Sequence, residues 1–86
     1  MPNSVITIYT TQQCPYCVSA KQLLTRKGYT YKEIDVSDTS LRDMLVKKAQ
    51  GRKTVPQIFI GDLHVGGFDD LSALDRSGEL DKLMSA

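Results

Sequence analysis

The sequence has few of the residues that metal sites, nucleic-acid interfaces and membrane surfaces require. It contains only two cysteines and one histidine among its 86 residues. A zinc site usually needs four ligands, and beyond the two cysteines only His64 remains among the usual soft ligands, so the chain makes a poor zinc site. Eleven basic residues are nearly balanced by ten acidic ones, giving a formal net charge of +1. We therefore expect neither nucleic acid nor an anionic membrane as a partner.

Long apolar runs and repeats are also absent. Only residues 1–4 precede the first apolar run, so we expect no secretory signal, and no stretch is long enough to span a bilayer. No internal repeat or low-complexity segment divides the chain. These features predict a single domain over residues 1–86 and a cytoplasmic location. A reducing compartment also suits a working pair of thiols better than a structural disulfide.

The two cysteines stand three positions apart, in Cys14-Pro15-Tyr16-Cys17. A disulfide across so short a loop restricts little of the unfolded chain, so it stabilises a fold less than a long-range bridge does. The spacing instead favours thiol exchange, with zinc binding and a structural bridge as the alternatives. Pro15 suits the first position of a helix, whose free N–H groups favour a thiolate at Cys14. Cys14 is then the candidate nucleophile and Cys17 the resolving thiol.

Residue periodicity predicts the order β-α-β-α-β-β-α. Gly28 and Gly51 follow the first two helical patterns, and Gly61-Asp62 is a loop of the kind that closes a tight hairpin. Such an order predicts an α/β fold with a four-stranded mixed sheet flanked by helices. The patterns predict strands over 5–9, 29–36, 57–60 and 63–66, helices over 15–27 and 40–50, and a last helix capped by Asp69 and Asp70 and broken at Gly78.

Several short motifs, taken together, carry a resemblance to a known family. They are Tyr9-Thr10, Cys14-Pro15-Tyr16-Cys17, Gly51-Arg52, the run 54–60, Gly66-Gly67 and Asp69-Asp70. Their order and spacing resemble those of the dithiol glutaredoxins, which belong to the thioredoxin-fold superfamily. The resemblance implies a thioredoxin fold and a glutathione-dependent thiol–disulfide oxidoreductase. Its substrates would be protein disulfides and protein–glutathione mixed disulfides, reduced through Cys14 and Cys17.

The same resemblance implies a glutathione-binding groove beside the cysteines. Pro56 is expected in the cis form, which leaves the backbone of Val55 facing outward, where glutathione can pair with it like an added strand. The carboxylate of Asp70 is expected to bind the α-ammonium of glutathione, with helix capping as the alternative role. The expected glutathione contacts are Tyr16, Thr54, Val55, Pro56, Gly67, Asp69 and Asp70.

The sequence departs from the family pattern at two positions. Many glutaredoxins carry a lysine where this chain has Thr11, so a cation beside the thiolate and the glycine carboxylate of glutathione is missing. Arg52 and Lys53 are candidate contacts for that carboxylate, with solvated loop charges as the alternative. Phe68 stands where several relatives have a third cysteine. Lys21 either adds positive potential near the sulfurs or lies along the sheet edge with its ammonium in water.

The expected partners are glutathione and proteins that are disulfide-bonded or glutathionylated. We expect a monomer with no metal and no bound cofactor, with glutathione as cosubstrate. Two other functions stay open: a thioredoxin-like hydrogen donor reduced by a flavoprotein, and an iron–sulfur carrier in which two chains share a cluster. The acids Asp69 and Asp70 favour glutathione over the first, and the stiff turn at Pro15 argues against the second. The sequence does not identify the physiological protein target.

Overall fold

A computed structural model describes residues 5–51 and 54–85 of the chain. The element order agrees with the predicted one, and the predicted break at Gly78 is confirmed, because this left-handed glycine divides the last helix into two. Within the described ranges, every helix is too short or too polar to cross a bilayer. The elements are β1 (Ile6–Thr10), α1 (Pro15–Arg26), β2 (Lys32–Asp35), α2 (Thr39–Lys48), β3 (Gln57–Ile60), β4 (Leu63–Gly66), α3 (Phe68–Ser77) and α4 (Glu79–Ser85).

The strands form a mixed four-stranded sheet in the order β2-β1-β3-β4. β1 runs parallel to β2 and antiparallel to β3, and β3 pairs antiparallel with β4 across the tight Gly61-Asp62 turn. A parallel pair needs a crossover, which α1 supplies, whereas the antiparallel hairpin needs only its short loop. The predicted thioredoxin fold is confirmed.

Helices cover both faces of the sheet, and the alternation of strand side chains divides the core between them. Ile58 and Ile60 point to one face and Phe59 points to the other. α1, α3 and α4 cover the first face, where the buried cluster is Ile6, Ile8, Ala20, Leu23, Leu24, Ile58, Ile60, Leu71 and Leu80. α2 covers the second face, where the smaller cluster is Val36, Leu45, Ala49 and Phe59.

The junction between α1 and β2 differs from the prediction. The helix predicted over 15–27 ends at Arg26, and the strand predicted over 29–36 begins only at Lys32. The backbone N–H of Tyr29 donates to the Leu24 carbonyl at 3.0 Å, and Gly28 adopts a left-handed φ of 82°. This arrangement caps the helix end, so Tyr29 belongs to the cap and not to the strand.

α2 begins one residue before the predicted start because Asp38 caps it. The Asp38 carboxylate accepts hydrogen bonds from two backbone N–H groups of the first turn, at 2.7 and 3.4 Å. Of the apolar residues that indicated this helix, Leu45 is buried, whereas Leu41 and Met44 are exposed. Fewer apolar residues of α2 are therefore buried than its sequence pattern predicted.

An ionic cluster ties the end of α1 to the two C-terminal helices. The Lys27 ammonium lies 3.2 Å from an Asp75 oxygen and 3.0 Å from an Asp81 oxygen, and the Tyr29 hydroxyl donates a short hydrogen bond to Asp81. The hydrogen bonds from Tyr29 and Lys27 lower the pKa of the Asp81 carboxyl. The same cluster raises the pKa of Lys27, chiefly through its hydrogen bond to Asp81.

Removing the Asp81 charge should reduce stability in a pH-dependent way. The folded pKa of Asp81 lies below its unfolded value, so its interactions stabilise the fold above that unfolded value and are lost as pH falls through the folded one. Asp81→Asn should lower the melting temperature near pH 7 by a few degrees at most, because the cluster is exposed. The difference from wild type should shrink to nothing in strong acid. Thermal denaturation from neutral to acidic pH measures this, with Asp43→Asn on α2 as the control; a pH-independent difference would contradict it.

Candidate active site

The two cysteines lie at the start of α1. Cys14 is the N-cap residue and Pro15 the first helical residue, and the backbone N–H of Cys17 donates to Cys14 Sγ at 3.1 Å. The two sulfurs form a disulfide, with their Cα atoms 5.2 Å apart. Cys17 is only 1% exposed, whereas Cys14 is partly exposed. The first turn carries no acidic residue, so no carboxylate of that turn offsets the positive end of the helix at Cys14.

The loop before β3 approaches Cys14 from the other side of the site. The Val55–Pro56 peptide bond is cis, as the resemblance implied. The Val55 side chain packs against the smaller core cluster, and its carbonyl oxygen lies 3.6 Å from Cys14 Sγ. Because the side chain is held in the core, the backbone of Val55 is the part that faces the cysteine.

The start of α3 forms the third part of the site, and here the predicted cap is wrong. The N-cap is Gly67, while Asp69 and Asp70 are the second and third helical residues. The Asp70 carboxylate accepts a hydrogen bond from the Gly67 N–H at 3.0 Å. An acid at the third position reaches back to the N-cap backbone, so Asp70 caps the helix from inside its first turn.

These three segments enclose one groove of about 290 Å³. All seven residues that the resemblance implied as glutathione contacts line it, together with Phe68. Phe68 stacks on Tyr16 with ring centroids 6.4 Å apart, and Tyr16 is 63% exposed. The sequence showed Phe68 only as the residue in place of a third cysteine; its role as a wall follows from the packing of α3 beside α1. The lining residues are Tyr16, Thr54, Val55, Pro56, Gly67, Phe68, Asp69 and Asp70.

The cationic residues considered from sequence do not all meet at this groove. Arg52 and Lys53 lie outside the described residues, so their contact with a carboxylate stays a prediction. Lys21 pairs with the Glu33 carboxylate at 3.0 Å, and the Thr10 hydroxyl donates to the same oxygen at 2.7 Å. The hydrogen bonds from Thr10 and Lys21 lower the pKa of Glu33. Lys21 therefore joins α1 to β2 through an exposed ion pair.

Metal-binding side chains do not cluster in the described part of the chain. Over residues 5–51 and 54–85, no group of three or more His, Cys, Asp or Glu side chains is placed to hold a metal ion.

Comparison with known proteins decides the family. The Glutaredoxin family model matches residues 6–65. A glutaredoxin of Pseudomonas aeruginosa is 57% identical over 82 residues, which cover 94% of this chain and 96% of that protein. The chain belongs to the glutaredoxin family. Glutaredoxin 3 of Escherichia coli K12 is 47% identical over 79 residues, covering 92% of this chain and 95% of that protein.

Solved glutaredoxin structures share the fold. The solution structure of glutaredoxin from Brucella melitensis has a TM-score of 0.87 at 49% identity and covers 99% of this chain and 92% of that one. A crystal structure of a buckwheat glutaredoxin–glutathione complex has a TM-score of 0.85 at 27% identity, covering 94% and 76%. Glutaredoxins act on thiols and disulfides with glutathione, so this chain is a thiol–disulfide oxidoreductase with a redox-active Cys14–Cys17 pair.

The unequal burial of the two cysteines predicts unequal alkylation. In the reduced protein, iodoacetamide should modify Cys14 at least about tenfold faster than Cys17, because Cys14 is more accessible and faces the helix N-terminus. Peptide mass spectrometry after short exposure measures the two rates. The guanidinium-unfolded protein is the control, in which the two rates should become similar; equal rates in the folded protein would contradict the prediction.

Proposed function

We propose that Cys14 is the nucleophile and Cys17 the resolving thiol in glutathione-dependent reduction of protein disulfides and protein–glutathione mixed disulfides. The observation that best supports these roles is the hydrogen bond from the Cys17 N–H to Cys14 Sγ, at 3.1 Å. The same N–H group stabilises a negative sulfur at Cys14 in the reduced protein. Cys17 is buried one turn further in, so an incoming disulfide reaches Cys14 first.

The proposed reaction is a sequence of thiol–disulfide exchanges. The Cys14 thiolate attacks one sulfur of the substrate disulfide, that S–S bond breaks, and the other sulfur leaves as a thiolate that takes up a proton. When the substrate is glutathionylated, attack at the glutathione sulfur frees the protein thiol and leaves glutathione on Cys14. A second glutathione thiolate then attacks this mixed disulfide, which regenerates the Cys14 thiolate and releases glutathione disulfide.

A protein disulfide requires Cys17 as well. Attack by Cys14 leaves the substrate attached to Cys14 through a mixed disulfide. The Cys17 thiolate attacks Cys14 Sγ, releases the substrate as a dithiol and forms the Cys14–Cys17 disulfide. Two glutathione molecules reduce that disulfide, supply two electrons and leave as glutathione disulfide. The disulfide in this structure corresponds to the oxidised state of the cycle.

The groove between α1, the loop before β3 and α3 is the proposed glutathione site. The Val55 backbone would pair with the cysteine residue of glutathione, which places its sulfur beside Cys14. The Asp70 carboxylate would bind its α-ammonium and Asp69 would contact glutathione through its backbone, with Gly67 allowing close approach. The similar buckwheat protein was solved as a glutathione complex, which supports this assignment. Arg52 or Lys53 is the proposed contact for the glycine carboxylate.

The remaining features of the proposal follow from this chemistry. Thiol exchange needs only the two cysteines and glutathione, so we propose no metal or other cofactor. The protein acts as a monomeric single domain over residues 1–86, on disulfide-bonded or glutathionylated proteins. It works in a reducing compartment, the cytoplasm, because the proposed cycle consumes reduced glutathione, which such a compartment supplies.

Replacing each cysteine separately should distinguish the reduction of glutathionylated substrates from the reduction of protein disulfides. Cys14→Ser should abolish exchange with every substrate. Cys17→Ser should keep reduction of glutathionylated peptides, lose reduction of protein disulfides, and accumulate one glutathione on Cys14 after treatment with glutathione disulfide. Coupled assays with glutathione reductase and intact-mass analysis measure these results. Activity in Cys14→Ser would show that the nucleophile has been misassigned; no activity of wild type with glutathione would overturn the proposed function.

Two substitutions of Asp70 should separate its ligand role from its capping role. Asp70→Asn keeps an oxygen that accepts from the Gly67 N–H but removes the charge, whereas Asp70→Ala removes both. A charge-assisted contact contributes about 1.5 to 3 kcal/mol, so both variants should raise KM for a glutathionylated peptide by roughly one to two orders of magnitude. Only Asp70→Ala should also lower the melting temperature noticeably. A wild-type KM in Asp70→Asn would assign Asp70 to capping alone.

A further inference from the structure

A buried amide adjoins the proposed glutathione groove. Gln57, the first residue of β3, is 0% exposed in a strand whose other three residues are apolar. An amide in such a place is destabilising unless its polar atoms are hydrogen-bonded, so its partners indicate what it does. Gln57 directly follows the cis Val55–Pro56 bond.

Each polar atom of the Gln57 side chain has a partner in a neighbouring segment. Its Nε2 donates to the Thr54 carbonyl at 2.9 Å and to the Thr54 hydroxyl at 3.1 Å. Its Oε1 lies 2.7 Å from His64 Nε2. A single side chain thus connects β4 to the loop that forms one wall of the groove.

The direction of these hydrogen bonds follows from the chemistry of the groups. The Thr54 carbonyl can only accept, so the Gln57 amide nitrogen must face it and the amide oxygen must face His64. His64 Nε2 must therefore carry the hydrogen and donate it. Without that donor the buried Gln57 oxygen loses its partner in this set of contacts, and the amide is anchored only at its Thr54 end.

The position of His64 is itself set by the hairpin. His64 is paired with Phe59 across β3 and β4, and the two rings stack with centroids 4.8 Å apart. Gln57 is two residues before Phe59, so it points to the same face of the sheet and lies diagonally across from His64. The ring stack therefore holds the donor where the Gln57 oxygen needs it.

The Thr54 end of this series of hydrogen bonds lies in the active site. Thr54 and Val55 line the groove, and the Val55 carbonyl oxygen is 3.6 Å from Cys14 Sγ. Packing of the Val55 side chain restrains the loop through one residue, and the Gln57 amide restrains it through the backbone of Thr54. Hydrogen bonding by the Gln57 amide fixes the orientation of the loop backbone. Apolar packing alone does not fix that orientation.

We propose that Gln57 and His64 are positioning residues that set the Thr54–Val55 wall for glutathione, His64 by anchoring the oxygen of the buried Gln57 amide. This inference rests on the proposed function of the groove. Neither side chain touches the ligand; both act through Thr54. What His64 must supply is a hydrogen-bond donor, and its aromatic ring serves to place that donor.

Two substitutions of His64 separate the donor from the ring. His64→Phe keeps an aromatic ring that can stack on Phe59 but has no donor. His64→Gln loses the ring but carries an amide N–H of similar reach. KM and kcat are measured with the full chain, using a glutathionylated cysteine peptide as substrate with glutathione and its reductase. Amide hydrogen exchange of the peptide containing Thr54 and Val55, followed by mass spectrometry, reports the order of the loop directly.

His64→Phe should raise KM for the glutathionylated peptide about threefold to tenfold, the range for one neutral hydrogen bond, and leave kcat nearly unchanged. Exchange in the loop should become faster. His64→Gln should restore both values to within about twofold of wild type. Gln57→Met has a similar length but no group that can donate to the Thr54 carbonyl, so it should raise KM at least as much as His64→Phe.

The opposite order, with His64→Phe like wild type and His64→Gln impaired, would mean that His64 acts by packing and would overturn the proposal. Wild-type KM and loop exchange in both variants would overturn it too. These outcomes differ from failure of the proposed function, which would appear in the wild type itself as activity that does not depend on glutathione.

Discussion

The active site depends on contact between the start of α1 and the loop before β3. Cys14 Sγ and the Val55 carbonyl oxygen lie 3.6 Å apart, although 41 positions separate them in the chain. Each side of this contact is held by a different core: Leu23 and Leu24 fix α1 on one face of the sheet, and the Val55 side chain packs on the other. The site lies where the two cores meet, so its geometry depends on the packing of both.

Much of the fold could be predicted because hydrophobic periodicity is local. Each strand and helix follows from residues within its own segment, and the order of elements then restricts the topology strongly. The errors occur at the ends of elements, where a backbone group has two possible partners. The N–H of Tyr29 serves the cap of α1 and not the sheet, and Gly67 rather than an aspartate is the N-cap of α3. Such competition is settled by tertiary geometry, which periodicity does not contain.

The parts of the site could be predicted from the sequence to different extents. The cysteine pair follows from spacing and from the chemistry of Pro15 at a helix start, whereas the groove residues came from the family resemblance. The stack of Tyr16 on Phe68 requires α1 and α3 to lie side by side. The contact between Gln57 and His64 requires the register of the β3–β4 hairpin, which shifts between Ile58 and Phe59. No local pattern encodes either contact, since each depends on how separate elements are brought together.

Two helix N-termini converge on the groove and carry different charges in their first turns. The first turn of α1 has no acidic residue, so its positive end is directed at Cys14 without compensation. The first turn of α3 carries Asp69 and Asp70, which offset the same kind of terminus and make that end of the groove negative.

The groove therefore favours an anion beside Cys14 and a cation beside α3. In the proposed complex these needs are met by the sulfur undergoing exchange and by the α-ammonium of glutathione, so a single tripeptide in one orientation satisfies both ends. In the proposed complex this charge separation would orient the ligand even though Thr11 supplies no cation, because it arises from two backbone termini and two carboxylates that the fold already holds in place.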